Sequence, residues 1–227
     1  MALFFLDPNF STLFNAHNKK HLIEQIMALT GMENDHGTKA LDLLLSSVSS
    51  VPQEDEQMAT TWLMTVFNTL FAHQHVTLIR GEHEPEYFPA TDHKPARIQF
   101  AHGFFSSAMH ELSHWCIAGS KRRGLIDFGY WYAPDGRSAA QQQQFEQLEV
   151  RPQALEYLFT LACNRPFQVS QDNLFADFDT SSSTFATDVY HQAAHYIDSP
   201  QQLPRDAKLW LLALLMLNDA ESTAKTS

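Results

Sequence analysis

"AMHELSHWCIAG", residues 108–119, places two histidines four residues apart inside an apolar frame. On a helix, positions i and i+4 project from successive turns of one face, so the imidazoles of His110 and His114 can bind one ion. Glu111 directly follows His110 and completes an H-E-x-x-H pattern, its carboxylate beside the ion without necessarily binding it. Ala108, Met109, Leu112, Trp115 and Cys116 surround these polar residues, which makes a helix buried almost all round. Burying two imidazoles and a carboxylate in such a frame is costly unless they are paired or bound to metal. The stretch therefore reads both as a central helix of the fold and as a metal site. Gly119 ends the helix, and Lys121, Arg122 and Arg123 follow where positive charge is favourable.

Two histidines leave a site underdetermined, so a carboxylate from a following helix is required. Ser138 and Gln141 form a capping-box pattern, which opens a helix running from Ala139 through the "QQQQ" tract to about Cys163. Pro152 lies inside it, removes a backbone donor and clashes with the preceding turn, so a kink or a break is expected near residues 148–151. Glu149, immediately before that point, is the expected third ligand. Glu146, one turn earlier, and Glu156, two turns later, remain open as alternatives.

Upstream, "TTWLMTVFNTLFAH" carries Trp62, Leu63, Val66, Phe67, Leu70 and Phe71 at the spacing of an amphipathic helix. "HVTLIRG" (75–81) and "ARIQFA" (96–101) read as strands, and the segment between them, with three prolines, permits extended pieces and turns but no long helix. Residues 19–30 and "TKALDLLLS" read as helices, followed by a Ser-, Pro- and acid-rich stretch at 46–57 that reads as a linker. Residues 1–52 are thus expected as an N-terminal helical appendage, and 53–227 as the metal-binding domain. "STFATDVYHQAAHYI" and "RDAKLWLLALLML" complete the chain as two more helices. The fold class is α+β, mostly helical with a small sheet, the H-E-x-x-H helix packed against a second ligand-bearing helix. His191 and His195 also stand at i and i+4, but no glutamate follows His191 and no apolar envelope surrounds them, so they read as surface or hydrogen-bonded histidines.

Composition narrows the function. Hydrophobic residues make up 44%, enough to build a core, while 15 Lys and Arg against 26 Asp and Glu give a formal charge of −11. No basic face is available for a phosphate backbone, so nucleic acid is excluded as a broad partner. Cys116 and Cys163 are the two cysteines and make no disulfide framework, which fits a reduced cytoplasmic setting. "MALFFLDPN" has no basic region or cleavage site of a signal peptide, and "LWLLALLML" is far short of the roughly 20 residues of a membrane span. No membrane partner is expected.

Two chemistries suit two histidines and a glutamate. In a zinc hydrolase, Glu111 would be the general base for a metal-activated water. A non-haem Fe(II) site takes the same ligands and leaves open positions for oxygen and substrate. The spacing does not discriminate between them. A closed structural ion would need a fourth ligand, and Cys116 does not reach the ion from its face of the helix.

The segments "GEHEPEYFPA", "FFSSAMHELSHWCIAGSKRRGLIDFGYWYAPDGR" and "FEQLEVRPQALEYLF" resemble the bacterial elongation factor P hydroxylase family. The resemblance runs from about residue 58 to at least 174 and rests on a Trp directly after the second His, a GYWYxPDGR stretch and an ExxPQALE stretch. It implies a metal-dependent hydroxylase acting on elongation factor P after its lysine has been extended by a β-lysyl group. The cofactor implied is Fe(II), with zinc as the alternative and molecular oxygen as co-substrate; no 2-oxoglutarate site is identifiable. The family pattern falls on His110, Glu111, His114 and Trp115, and its downstream carboxylate on Glu149. Under this reading Glu111 orients a ligand, holds a metal-bound water or pairs with a substrate ammonium. The cationic arm would meet the acidic loop of Glu82, Glu84, Glu86 and Asp92, and aromatic rings of the Tyr130, Trp131, Tyr132 stretch. Glu84, Tyr130 and Tyr132 are the expected substrate-binding residues. Residues 1–50 match nothing in the family.

Overall fold

The computed structural model describes residues 10–30, 36–130, 136–172 and 183–224. In chain order its elements are α1 (Phe10–Leu13), α2 (Ala16–Thr30), α3 (His36–Ser47), α4 (Glu56–Leu70), β1 (Val76–Arg80), β2 (Glu86–Phe88) and β3 (Ala96–Phe100), then α5 (Phe105–Arg122), α6 (Ala139–Ala162), α7 (Phe185–Asp198) and α8 (Arg205–Ala224). The architecture is the expected one, mostly helical α+β with a small sheet.

The sheet has the order β1-β3-β2, with β1 parallel and β2 antiparallel to β3, and Leu78 and Tyr87 both stand in register with Ile98. Alternation sends Val76, Leu78, Ala96, Ile98 and Phe100 inward, and α4 and α5 pack on the sheet. β2 arises inside the three-proline segment. It is an edge strand, which tolerates proline at its flanks.

α5 is the central element. Gly119 adopts φ 66° and ψ 173°, which interrupts the helical geometry after Ala118 and leaves a final turn to Arg122. Trp115 is fully buried, edge-on to Phe67 and Phe71 at centroid separations of 5.2 and 5.0 Å. The Arg123 guanidinium lies 3.6 Å from the Trp115 ring centre, and its Nε donates to the Trp115 carbonyl at 3.0 Å. The same side chain donates to Gln74 Oε1 at 3.1 Å and pairs with Asp206 at 2.7 Å, which ties the end of α5 to the start of α8.

α6 begins at the anticipated capping box. The Ser138 hydroxyl accepts from the Gln141 backbone, and the Gln141 side chain accepts from the Ser138 backbone at 3.0 Å. The helix continues from Ala139 to Ala162 through Pro152, so the break held open as one outcome does not occur. Pro152 cannot donate to the Leu148 carbonyl one turn earlier, and Leu148 stands on the exposed side of the helix.

The N-terminal segment does not stand apart. Leu22, Ile26, Leu41, Leu44 and Val51 belong to one core with Trp210, Leu211 and Leu214, and α2 and α3 pack on α8. The stretch read as a linker is fastened at two points. The Val51 backbone donates to Asn218 Oδ1 at 3.0 Å, and Trp62 Nε1 donates to the Ser49 carbonyl at 2.7 Å. Among the described residues, no helix is long and apolar enough to cross a membrane.

Candidate metal centre

α5 and α6 pack face to face, and the donor atoms converge at their contact. The Nε2 atoms of His110 and His114 are 3.1 Å apart. Glu149 approaches from α6, with Oε1 3.3 Å from His114 Nε2 and Oε2 3.6 Å from His110 Nε2. Two donors each about 2.1 Å from one ion stand about 3.0 Å apart at an octahedral angle and about 3.4 Å apart at a tetrahedral one. The imidazole pair stands at such a spacing, and one donor atom from each of His110, His114 and Glu149 lies within 4.8 Å of the others, so these residues fit a metal ion. The triangle suits zinc and iron(II) alike. Side-chain exposure is 31% for His110 against 9% for His114 and 1% for Glu149, so the accessible side of the triangle is the His110 side.

The three glutamates of α6 are separated by their surroundings. Glu149 reaches the histidines. Glu146 instead accepts from Gln142 Nε2 at 3.1 Å, Gln171 Nε2 at 3.2 Å and Ser183 Oγ at 2.8 Å, away from the triangle. Glu156 Oε2 sits 2.9 Å from His110 Nδ1, on the ring nitrogen opposite the triangle.

Electrostatics agree with a cation site. Burial opposes a charged His110, but the Glu156 hydrogen bond and the charges of Glu156, Glu149 and Glu111 hold its pKa up at about 10. Burial pushes the Glu111 carboxyl above its ordinary range; His110 and His114 counter this, while Glu149 and Asp127 push it the same way. Three carboxyl groups therefore crowd two imidazoles, an arrangement that favours a bound cation.

Of the expected substrate contacts, Tyr130 lies at the site, its ring 6.0 Å from and edge-on to that of His114, with the Arg122 guanidinium 4.0 Å from its ring centre. Glu84 is exposed in the loop between β1 and β2, and among the described residues no contact joins it to the triangle. Tyr132 and Trp131 lie outside the described residues. His191 and His195 are exposed in a groove between α6 and α7, as expected of surface histidines. Cys116 lines a separate cleft with Gly119, Arg123 and Asp206.

Sequence reasoning missed the support under Tyr130. Asp127, Phe128 and Gly129 all have positive φ, at 47°, 57° and 69°. For the two non-glycine residues this costs about 1–3 kcal/mol each. Tyr87 holds them in place: its backbone donates to Asp127 Oδ1 at 2.8 Å, its hydroxyl donates to the Arg123 carbonyl at 2.8 Å, and its ring stacks on Phe128 at 4.0 Å. This turn delivers Tyr130 to His114. Gly129 was the one sequence signal for it.

A helical core around a small sheet, with two histidines of one helix and a glutamate of the next forming a donor triangle, defines an α+β protein with a two-histidine, one-carboxylate metal-type site. The sequence model of the family described as "Elongation factor P hydroxylase" matches residues 66–226, which include every residue of the triangle. Over 161 residues the chain is 42% identical to the elongation factor P lysine hydroxylase of Haemophilus influenzae, an alignment covering 70% of this chain and 89% of that protein. The chain belongs to the elongation factor P hydroxylase family.

Proposed function

We propose that this protein hydroxylates a lysine of elongation factor P at an Fe(II) centre held by His110, His114 and Glu149. The observation that carries the reading is the convergence of His110 and His114 Nε2, 3.1 Å apart, with the Glu149 carboxylate, whose two oxygens lie 3.3 and 3.6 Å from them, all within the family-matched region. When bound, Fe(II) supplies the oxygen chemistry that no side chain of the protein supplies.

The chain's own residues do the rest. The imidazoles and the Glu149 carboxylate hold the ion, and the exposed flank of His110 leaves an approach for the modified side chain. A lysine extended by a β-lysyl group is a cationic arm, and the carboxylates of Glu111, Glu149 and Glu156 favour its entry. Glu84 adds to that attraction at longer range. Arg122 covers one face of the Tyr130 ring, so the arm meets the rest of that ring. Glu111, the carboxylate of the triangle's own helix that is not a ligand, orients the arm or a water beside it. A cytoplasmic setting follows from a translation factor as substrate. Nothing in the family match supports the hydrolase alternative.

The test is mass spectrometry of elongation factor P, with and without its β-lysyl group, after incubation with the protein, Fe(II), oxygen and a reductant. The β-lysylated form is expected to gain about 16 Da, the mass of one oxygen atom. His110→Ala abolishes the gain. Peptide cleavage by the zinc-loaded protein without any mass gain would overturn the reading.

A further inference from the structure

α6 meets His110 at both ring nitrogens. Glu149 and Glu156 stand seven residues apart, so both lie on one face of the helix, separated by two turns. Their carboxylates nonetheless arrive at the same imidazole, Glu149 at Nε2 at 3.6 Å and Glu156 at Nδ1 at 2.9 Å. The Glu156 oxygen is therefore on the side of the ring that faces away from the donor triangle. The Glu156 side chain is only 11% exposed, and a carboxylate so buried needs a compensating partner. The hydrogen bond to His110 is that partner.

We propose that Glu156 is a positioning residue of the metal centre. It accepts a hydrogen bond from His110 Nδ1–H, which puts the ring proton on Nδ1 and leaves the Nε2 lone pair directed at the triangle. A histidine that binds an ion is neutral and keeps one N–H, so fixing it at Nδ1 decides which nitrogen ligates. The contact also fixes the ring's rotation, and a carboxylate behind a histidine raises its strength as a ligand. His110 needs this support more than His114 does. His114 is 9% exposed, with Tyr130 edge-on to its ring, whereas His110 is 31% exposed. Glu156 therefore supplies by hydrogen bonding what His114 receives by packing.

The inference rests on the metal-centre reading above, and the experiment separates the two. Co(II) serves as the probe, titrated into the full-length protein and into Glu156→Ala, Glu156→Asp and Glu156→Gln with its d–d absorption recorded. The Zn(II)-loaded forms are examined by NMR with 15N-labelled histidine. Glu156→Ala is expected to weaken Co(II) binding by about 10–100-fold. Its absorption bands should stay in place, since the ligand set is unchanged, and the His110 Nδ1–H signal should be lost to solvent exchange. Glu156→Gln still offers an oxygen to Nδ1–H and should recover the signal and most of the affinity. Glu156→Asp keeps the charge but withdraws the oxygen by one methylene, and is expected to bind more weakly than wild type. It carries the comparison if Glu156→Ala does not fold. Wild-type affinity in Glu156→Ala or Glu156→Asp overturns the proposal, as does a shift of the Co(II) bands that makes Glu156 itself a ligand. A wild-type protein that binds no Co(II) overturns the metal-centre reading and this inference together.

Discussion

Arg123→Met tests how the end of the central helix is secured. Arg123 joins Trp115, Gln74 and Asp206 through a ring contact, two hydrogen bonds and a 2.7 Å ion pair, with side-chain exposures of 16% for Arg123 and 6% for Asp206. Removing one partner of a buried pair costs about 3–5 kcal/mol, chiefly because the other charge stays buried. Here the cost is lower. Asp206 keeps Arg205 Nε at 2.9 Å and Gln74 Nε2 at 3.0 Å, and Met retains much of the packing on Trp115. The working figure is about 2–3 kcal/mol. In a protein of this size each kcal/mol moves Tm by about 2–4 °C, so the melting temperature should fall by about 4–12 °C.

The loss should also depend on pH. Burial alone would raise the Asp206 pKa, but hydrogen bonds from Arg205, Gln74 and Arg123 and the Arg123 charge hold it below its ordinary value of 3.8. A depressed carboxylate contributes stability that is present above its unfolded value and lost as pH falls through its lower folded value. Arg123→Met brings the Asp206 titration upward. The gap between wild type and variant is therefore full at pH 7 and narrows below about pH 4, as Asp206 takes up a proton in the variant first. Asp206→Asn in the variant background should recover part of the lost stability, and the double-mutant cycle measures the coupling. Calorimetry from pH 7 to pH 3 provides the assay. A variant melting within about 1 °C of wild type at pH 7, or a gap that does not change with pH, would refute the reasoning.

Two other outcomes follow from the site and its scaffold. Glu111→Gln preserves shape and removes charge, so it should retain metal binding while hydroxylation falls about 100-fold, the scale of a reacting group misplaced by about 1 Å; equal losses of both in parallel assays would make Glu111 a support for the ligands instead. Ser138→Ala removes the cap of the helix that carries Glu149 and should cost about 1 kcal/mol, read as a Tm lowered by a few degrees with the metal affinity unchanged.

The local parts of the site were legible in the sequence because helix geometry alone creates them. His110 and His114 share a face at i and i+4 whatever surrounds them, and Ser138 caps the helix that begins after it. The assignment among Glu146, Glu149 and Glu156 was not legible to the same degree. All three lie within 11 consecutive residues of one helix, and the rotation of α6 against α5 sorts them. That rotation turns Glu146 toward Gln171 and Ser183 and leaves Glu156 behind the His110 ring. β2 was hidden for a related reason: a strand of three residues between prolines has no period to read, and its order comes from β3. Trp115, which carries much of the family resemblance, turns out to face Phe67, Phe71 and Arg123 in the core.

What the sequence determined by itself is therefore the H-E-x-x-H face, the mostly helical class and the need for a carboxylate from another helix. These are consequences of periodicity and of the cost of burying polar groups without partners. Only the tertiary structure decided which carboxylate faces the histidines, which one stands behind them, and how the left-handed turn at 127–129 brings Tyr130 to His114. Those choices depend on the relative placement of α5, α6 and β2, which is set by packing between residues distant in the chain.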